Sequence, residues 1–288
     1  MSCIPYMGSK RKLAYKIVEC ILEHNPDCKY IYDLFGGGGA VSLKFLQQSK
    51  IKKVIYNELN RGVCELLKKI QKDGVAEEFY DWVDRETFNK HKNDNTWFGG
   101  LVKTCWSFGN NQADYMFSKE IEEIKKAAHE YLLKNGYNKT AESRLTLIKQ
   151  FINDSNIKDG VVLEQLQRLQ RLEQLQQLLQ LEQLERLEIQ NKSYNEVTIN
   201  TPINETIIYC DPPYQNTAKY QHDIDHAKFY NWVKNSKYKI YISSYEAPFA
   251  EVESFVHRSS LSANANNEVI EKLYCNQVEK IKRYLDFS

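Results

Sequence analysis

The 288-residue sequence predicts an α/β fold, an open sheet with a ligand cleft beyond the carboxyl ends of its strands. Three stretches predict it. Ile207-Ile208-Tyr209-Cys210 is a short apolar run that meets Asp211-Pro212-Pro213-Tyr214. Tyr30-Ile31-Tyr32-Asp33-Leu34-Phe35 meets Gly36-Gly37-Gly38-Gly39-Ala40, and Lys53-Val54-Ile55-Tyr56-Asn57 meets Glu58-Leu59-Asn60. Each reads as a buried strand that reaches an acid and then a turn or a helix start.

Composition narrows the class. Charged residues are 27% and hydrophobic ones 42%, as in an ordinary globular chain long enough for one large domain or two small ones. No apolar run approaches the ~18 residues that span a bilayer, and no signal-peptide pattern precedes the first motif. Seven cysteines (Cys3, Cys20, Cys28, Cys64, Cys105, Cys210, Cys275) are scattered without a C-x-x-C pair. That argues against a disulfide framework and a zinc site, and for a reducing cytoplasm. A net charge of +1 leaves any nucleic-acid contact to local patches.

Taken in order, Ile4-Pro5-Tyr6-Met7-Gly8-Ser9 is a Pro-held turn with a glycine, and a helix follows through Glu23. Lys10, Arg11, Lys12 and Lys16 all precede its first acid, Glu19. Arg11 and Lys12 suit a solvated helix start as well as a functional role. Lys10, just after the Gly-Ser turn, is better placed to point inward at an anion or ligand. The strand beginning at Tyr30, the glycine turn and the helix carrying Val41, Leu43, Phe45 and Leu46 form the context in which a glycine loop cradles a cofactor. A phosphate P-loop is disfavoured, because G-x-x-x-x-G-K-[ST] is absent. Glu58 ends the next strand about twenty residues on, where an acid accepts hydrogen bonds from ribose hydroxyls. At Asp211 neither following proline can donate to a ladder, so the strand stops and a carboxylate and a ring face the cleft. Alone, that tetrapeptide is equally a turn whose Tyr caps a core.

The four motifs together are more specific. Tyr6-Met7-Gly8-Ser9-Lys10, Asp33-Leu34-Phe35-Gly36-Gly37-Gly38-Gly39, Glu58-Leu59-Asn60 and Asp211-Pro212-Pro213-Tyr214 occur in this order. In this the chain resembles the Dam-like (D12 class, α-group) adenine-N6 DNA methyltransferases of bacteria and their phages. Leu34 stands where Pro is frequent and Glu58 where Asp is, while Gly36 and Gly38 fill positions that are usually variable. The resemblance implies a Rossmann-like S-adenosylmethionine-dependent sheet over 1–73 and 189–288, with an inserted, mainly helical target-recognition domain over 74–161. It implies a cofactor site of Tyr6, Lys10, Asp33, Phe35, Gly37, Gly39, Glu58 and Asp211, and a catalytic set of Asp211, Pro212, Pro213 and Tyr214, with no metal. Asp211 and the Pro212 carbonyl would accept the N–H bonds of the adenine amino group, and Tyr214 would stack on the base once flipped from double-stranded DNA. A monomer or weak dimer in the cytoplasm of a bacterium or phage-infected host is expected. Transfer to cytosine N4, RNA or a protein amide, and a catalytically idle DNA-binding protein on the same fold, are the alternatives.

Between the cofactor motifs and Asp211 lie Trp97-Phe98-Gly99-Gly100 and Cys105-Trp106-Ser107-Phe108-Gly109-Asn110-Asn111-Gln112. Asn and Gln pair with adenine edges, and interleaved aromatics stack or wedge. Trp106, Asn110, Asn111 and Gln112 are therefore candidate DNA contacts, with an aromatic mini-core closed by an Asn-rich turn as the competing reading; the resemblance favours DNA. Residues 118–136 read as a scaffold helix with Glu120, Glu122 and Glu123 early and Lys125, Lys126 and Lys134 late, matching the helix dipole. Residues 162–188 read as one long helix with Leu at every third position from Leu163 to Leu187. Three residues advance about 300°, so the apolar stripe winds backward by ~60° per step and fits no heptad. Beyond Tyr214, 215–225 is a candidate flap, 225–235 a helix, and 238–245 and 268–275 are strands. His222, His226 and His257 have no metal-ligand spacing.

Overall fold

The computed structural model describes residues 3–6, 8–135, 141–155, 183–214, 224–258 and 268–277. The branched and aromatic runs are strands: β1 (Tyr30–Asp33), β2 (Lys53–Asn57), β3 (Leu187–Gln190), β4 (Thr206–Cys210), β5 (Lys239–Ser244), β6 (Ala250–Arg258) and β7 (Glu268–Cys275). Among the described residues they make one sheet in the order β3-β2-β1-β4-β5-β7-β6. The first five run parallel, β7 lies antiparallel to β5, and β6 antiparallel to β7. All five residues of β4 are buried, which explains a continuous apolar run rather than an alternating one. From β1 the chain moves outward to β2, and from β4 it moves the opposite way to β5. Strand order therefore reverses between β1 and β4, where an open sheet leaves a crevice. Asp33 ends β1 and Asp211 follows β4, so both acids stand at this crevice.

The chain divides into two compact units. The first, Lys10–Leu59 with Gln183–Ser288, holds the sheet and, among the described residues, α1 (Ala14–Glu23), α2 (Ala40–Leu46) and, last in the chain order, α8 (His226–Lys234). Helix α1 buries Ile17, Val18 and Ile21, a three-to-four spacing that lays one stripe on the core. Tyr32, Ile208, Ile240, Phe229 and Val233 share one apolar cluster, where burying each large side chain contributes about 1.5–3 kcal/mol. Arg186, just before β3, donates to the backbone carbonyls of Leu46, Gln48 and Ile51, closing the carboxyl end of α2 and the turn after it.

The second unit, Ser2–Ser9 with Asn60–Glu182, contains α3 (Arg61–Asp73), α4 (Arg85–His91), α5 (Trp97–Cys105), α6 (Glu122–Lys134) and α7 (Ala141–Ser155). Side chains of Asn60, Asp84 and Thr96 cap α3, α4 and α5 by accepting from Val63, Thr87 and Gly99 N–H groups. Trp106 is fully buried, edge-on to Trp82 at 5.1 Å, and Phe117 stacks on Trp82 at 5.7 Å. His129 of α6 sits beside both indoles and bonds the Tyr80 carbonyl at 2.7 Å, so α6 is built into this core.

Helix α3 groups with the second unit, ahead of the boundary expected at 73. Most of the Leu-triplet stretch lies outside the described residues; its end is a 3₁₀ turn at Leu184–Arg186, and Leu187 already belongs to β3 rather than to a helix. Strand β6 was not anticipated, because Glu251, Glu253 and His257 along it obscure the apolar pattern. Trp106→Ala should remove about 3–5 kcal/mol of stability through the cavity it leaves, read as a lower thermal midpoint. An unchanged midpoint with impaired DNA binding would instead make Trp106 a base reader.

Candidate active site

Cys210 closes β4 and the two prolines turn the chain outward, leaving Asp211 at the crevice with 18% of its side chain exposed. The 3₁₀ turn Lys10–Lys12 sends Lys10 inward while Arg11 and Lys12 stay in solvent. Lys10 Nζ lies 2.8 Å from Asp211 Oδ2 and 3.2 Å from Glu271 Oε1. Glu271, on β7, is only 3% exposed. The Tyr214 hydroxyl is 2.5 Å from Glu271 Oε1 and 3.2 Å from Asp211 Oδ1, so its single proton goes to Glu271. Lys10 Nζ stands 4.8 Å from the Tyr214 ring centre, and Tyr245 meets that ring edge-on at 4.6 Å.

Charge follows from this packing. Burial alone would push the Lys10 ammonium down, but Asp211 and Glu271 outweigh it and hold it above the usual lysine range. Burial lifts the Asp211 carboxyl, Lys10 opposes and Glu271 adds to the rise, and the result is about 6. Burial first, then Asp211 and Glu271, pushes the Tyr214 phenol well up, so it stays a donor.

The second wall is the glycine loop. Gly36 N–H donates to Asn57 O at 2.8 Å, and a β-carbon on Gly36 would lie 2.2 Å from the Tyr56 ring. That ring reaches over the loop to donate its hydroxyl to Gly37 O at 2.6 Å. Gly39 caps α2 at φ 79°, a conformation that costs glycine little. The buried Glu58 carboxylate accepts Gly37 N–H at 2.8 Å, and Asn57 Nδ2 braces Leu34 O and Lys192 O at 3.0 Å each. Asp33 is 1% exposed; Oδ2 accepts from Ser42 Oγ at 2.7 Å, whereas Oδ1 makes no hydrogen bond among the described residues. A buried acid with an unmet oxygen, a second buried acid and a loop of bare backbone suit a ligand with an ammonium and hydroxyls, and so fit S-adenosylmethionine.

Phe35 stacks on Tyr194 at 5.6 Å and meets Phe229 edge-on, so its ring belongs to an aromatic cluster. Tyr6 falls in the second unit, where its carbonyl accepts Ser9 N–H at 3.4 Å. The four DNA candidates are not presented together. Trp106 is core, Gln112 is buried and accepts from Asn60 Nδ2 at 3.0 Å, and Asn111 caps its own turn through Ala113 and Asp114 N–H. Asn110 takes φ 61° with its Oδ1 buried and unbonded among the described residues. The aromatic mini-core reading therefore describes Trp106 and Gln112, because the Trp106 ring packs inside the unit and the Gln112 amide is bonded there. Phe108 was missed: it is 66% exposed beside this turn. Glu271 was missed too, although a signal existed. It shares a strand face with Leu273 and Cys275, both buried, and an acid on an apolar face needs a partner.

Among the described residues no group of His, Cys, Asp and Glu forms a metal site, and no helix is long and apolar enough to cross a membrane. The proposed flap lies almost wholly outside them, and Asp225 caps α8. Burial raises the Asp33 carboxyl to about 7, ahead of the opposing Ser42 bond. Its folded form thus holds the proton more tightly than the unfolded chain, whose Asp titrates near ~4. Stability from the neutral acid is complete below that value and is lost as pH rises to about 7. Urea denaturation of Asp33→Asn without cofactor should lack this decline, whereas equal slopes for variant and wild type would contradict it.

The crevice, its paired acids and the glycine loop agree with the comparison against protein families. The model for D12 class N6 adenine-specific DNA methyltransferases matches residues 6–284. Compared with individual curated proteins, the chain has no match. Nearly full-length agreement, over a seven-stranded sheet with Asp211 at its switch point, means that the chain belongs to the D12 class N6 adenine-specific DNA methyltransferase family, whose enzymes transfer a methyl group from S-adenosylmethionine to adenine N6 in DNA.

Proposed function

We propose that the chain methylates adenine at a specific sequence of double-stranded DNA, acting on a base turned out of the duplex. The observation that carries this reading is the anchored Asp211 carboxylate at the β1–β4 crevice, with Lys10 on Oδ2 and Oδ1 toward Tyr214. The adenine amino lone pair is delocalised into the ring and is a poor nucleophile. Asp211 Oδ1 and the Pro212 carbonyl accept its two N–H bonds and draw the nitrogen toward a tetrahedral shape, while Pro213 keeps the turn stiff. Lys10, engaged on the other oxygen, stops the carboxylate rotating. The Tyr214 ring stacks on the base. When bound, S-adenosylmethionine supplies an electrophilic methyl on sulfur. Asp33 and Glu58 would hold its ammonium and ribose hydroxyls, and the Gly37–Gly39 loop, whose Gly37 N–H already bonds Glu58, would line its site. Once N6 is methylated it must lose a proton, and Asp211, with its carboxyl near 6, is the adjacent acceptor.

In the second unit the DNA contact falls to the turn around Phe108. Ser107 and Tyr115 form an antiparallel bridge, and Phe108 N–H and Asp114 O close the loop at 2.8 Å. A stiff turn carrying an exposed phenyl ring suits a wedge between base pairs. Phe108→Ala should weaken DNA binding by about 1–3 kcal/mol at fixed salt while leaving thermal stability within ~0.5 kcal/mol. Unchanged DNA affinity would remove the wedge.

Asp211→Ala tests the chemistry. Methyl transfer should fall by at least ~10²-fold, the scale for losing a polarising contact, with S-adenosylmethionine affinity by calorimetry near wild type. Substantial turnover by that variant would overturn the assignment of Asp211.

A further inference from the structure

We infer that Glu271 is a positioning residue for methyl transfer, holding the Tyr214 hydroxyl and Lys10 so that Asp211 Oδ1 stays open to the adenine amino group. The inference rests on the reading of Asp211 as the amino-group acceptor. A purely structural ion pair needs one carboxylate for one ammonium, yet Lys10 is shared by two, both largely buried. The surplus carboxylate is costly to bury and its geometry gives it a use. Lys10 is closer to Asp211 than to Glu271, 2.8 against 3.2 Å, so Oδ2 stays engaged. Tyr214 is closer to Glu271 than to Asp211, 2.5 against 3.2 Å, so the hydroxyl is drawn away from Oδ1. Without Glu271, that hydroxyl turns to Asp211 Oδ1, 3.2 Å away, and occupies the atom that the adenine N–H must reach.

Glu271 also adds negative charge beside Asp211. The groups facing Asp211 are Lys10 from the 3₁₀ turn, Asp33 at the end of β1, Tyr209 and Cys210 of β4, Tyr214, Tyr245 after β5, and Glu271 of β7. Among these Lys10 lowers the Asp211 carboxyl and Glu271 raises it. A more basic carboxylate is the better acceptor for a proton leaving N6.

Glu271→Gln in the full chain keeps the shape and an oxygen acceptor but removes the charge. Its kcat on a DNA duplex should fall by roughly tenfold or more, less than the ~10²–10³ of a direct contact, with S-adenosylmethionine affinity unchanged. The acid limb of its pH–rate profile should move down by about one unit, at the lower end of what an adjacent charge produces. Adding Tyr214→Phe to Glu271→Ala, which leaves no acceptor at position 271, should restore part of the rate that Glu271→Ala alone loses, because the misdirected hydroxyl is gone. Glu271→Asp keeps the charge, so its acid limb should stay in place while kcat falls; it decides the matter if the Gln variant does not fold. A folded Gln variant with an unmoved acid limb, a double variant no faster than the single, or an Asp variant with wild-type kcat would overturn the inference. Asp211→Ala separates the two levels. If it stays active the underlying mechanism fails, and if it is inactive while the Glu271 variants behave as wild type, only the role of Glu271 fails.

Discussion

The site depends on one ammonium group. Lys10 is 8% exposed, and a lysine so placed keeps its proton only against carboxylates that offset its desolvation. Two do so, one from the turn after β4 and one from β7. Segments far apart in sequence, the 3₁₀ turn after Ser9, the Asp211 turn and the antiparallel strand β7, are thus held at one point. Removing Lys10 leaves two largely buried carboxylates without the ammonium that both face. Correct docking of β7 next to β5 is therefore a condition for the acceptor geometry, not merely an extension of the sheet.

Much of the first unit was legible because its elements obey local rules. Short apolar runs before an acid gave β1, β2 and β4, and the alternation of branched and aromatic residues over 238–245 gave β5, each nearly to the residue. The Gly-Ser turn was enough to distinguish Lys10, which is buried, from Arg11 and Lys12, which are exposed. What was not legible depended on distant partners. That Glu58 binds the glycine loop backbone through Gly37 N–H, or that Gly36 lies under Tyr56, follows from the pairing of β1 with β2 rather than from any motif. Nor does a motif reveal that Tyr194 and Phe229, from two later segments, pack on the Phe35 ring.

The second unit was harder to read for a related reason. Asn, Gln and Trp are the chemistry of base recognition and equally that of a small domain satisfying its own polar groups. Gln112 bonded to Asn60, and Trp106 set against Trp82 and His129, take the second course. The pattern could not assign these roles, since burial is decided by helices α3 and α6, remote from the turn. Phe108 is the exception in this turn, left 66% exposed.

Arg186 bears on how such a chain tolerates change. It grips backbone carbonyls at Leu46, Gln48 and Ile51, groups that every sequence possesses, and the next residue, Leu187, pairs with Val54. The register of β3 is thereby fixed from its own end, independently of how much chain arrives before it. A clamp of this kind lets a strand that arrives late in the chain seat itself on β2 by contacts of its own, at one rung of the sheet.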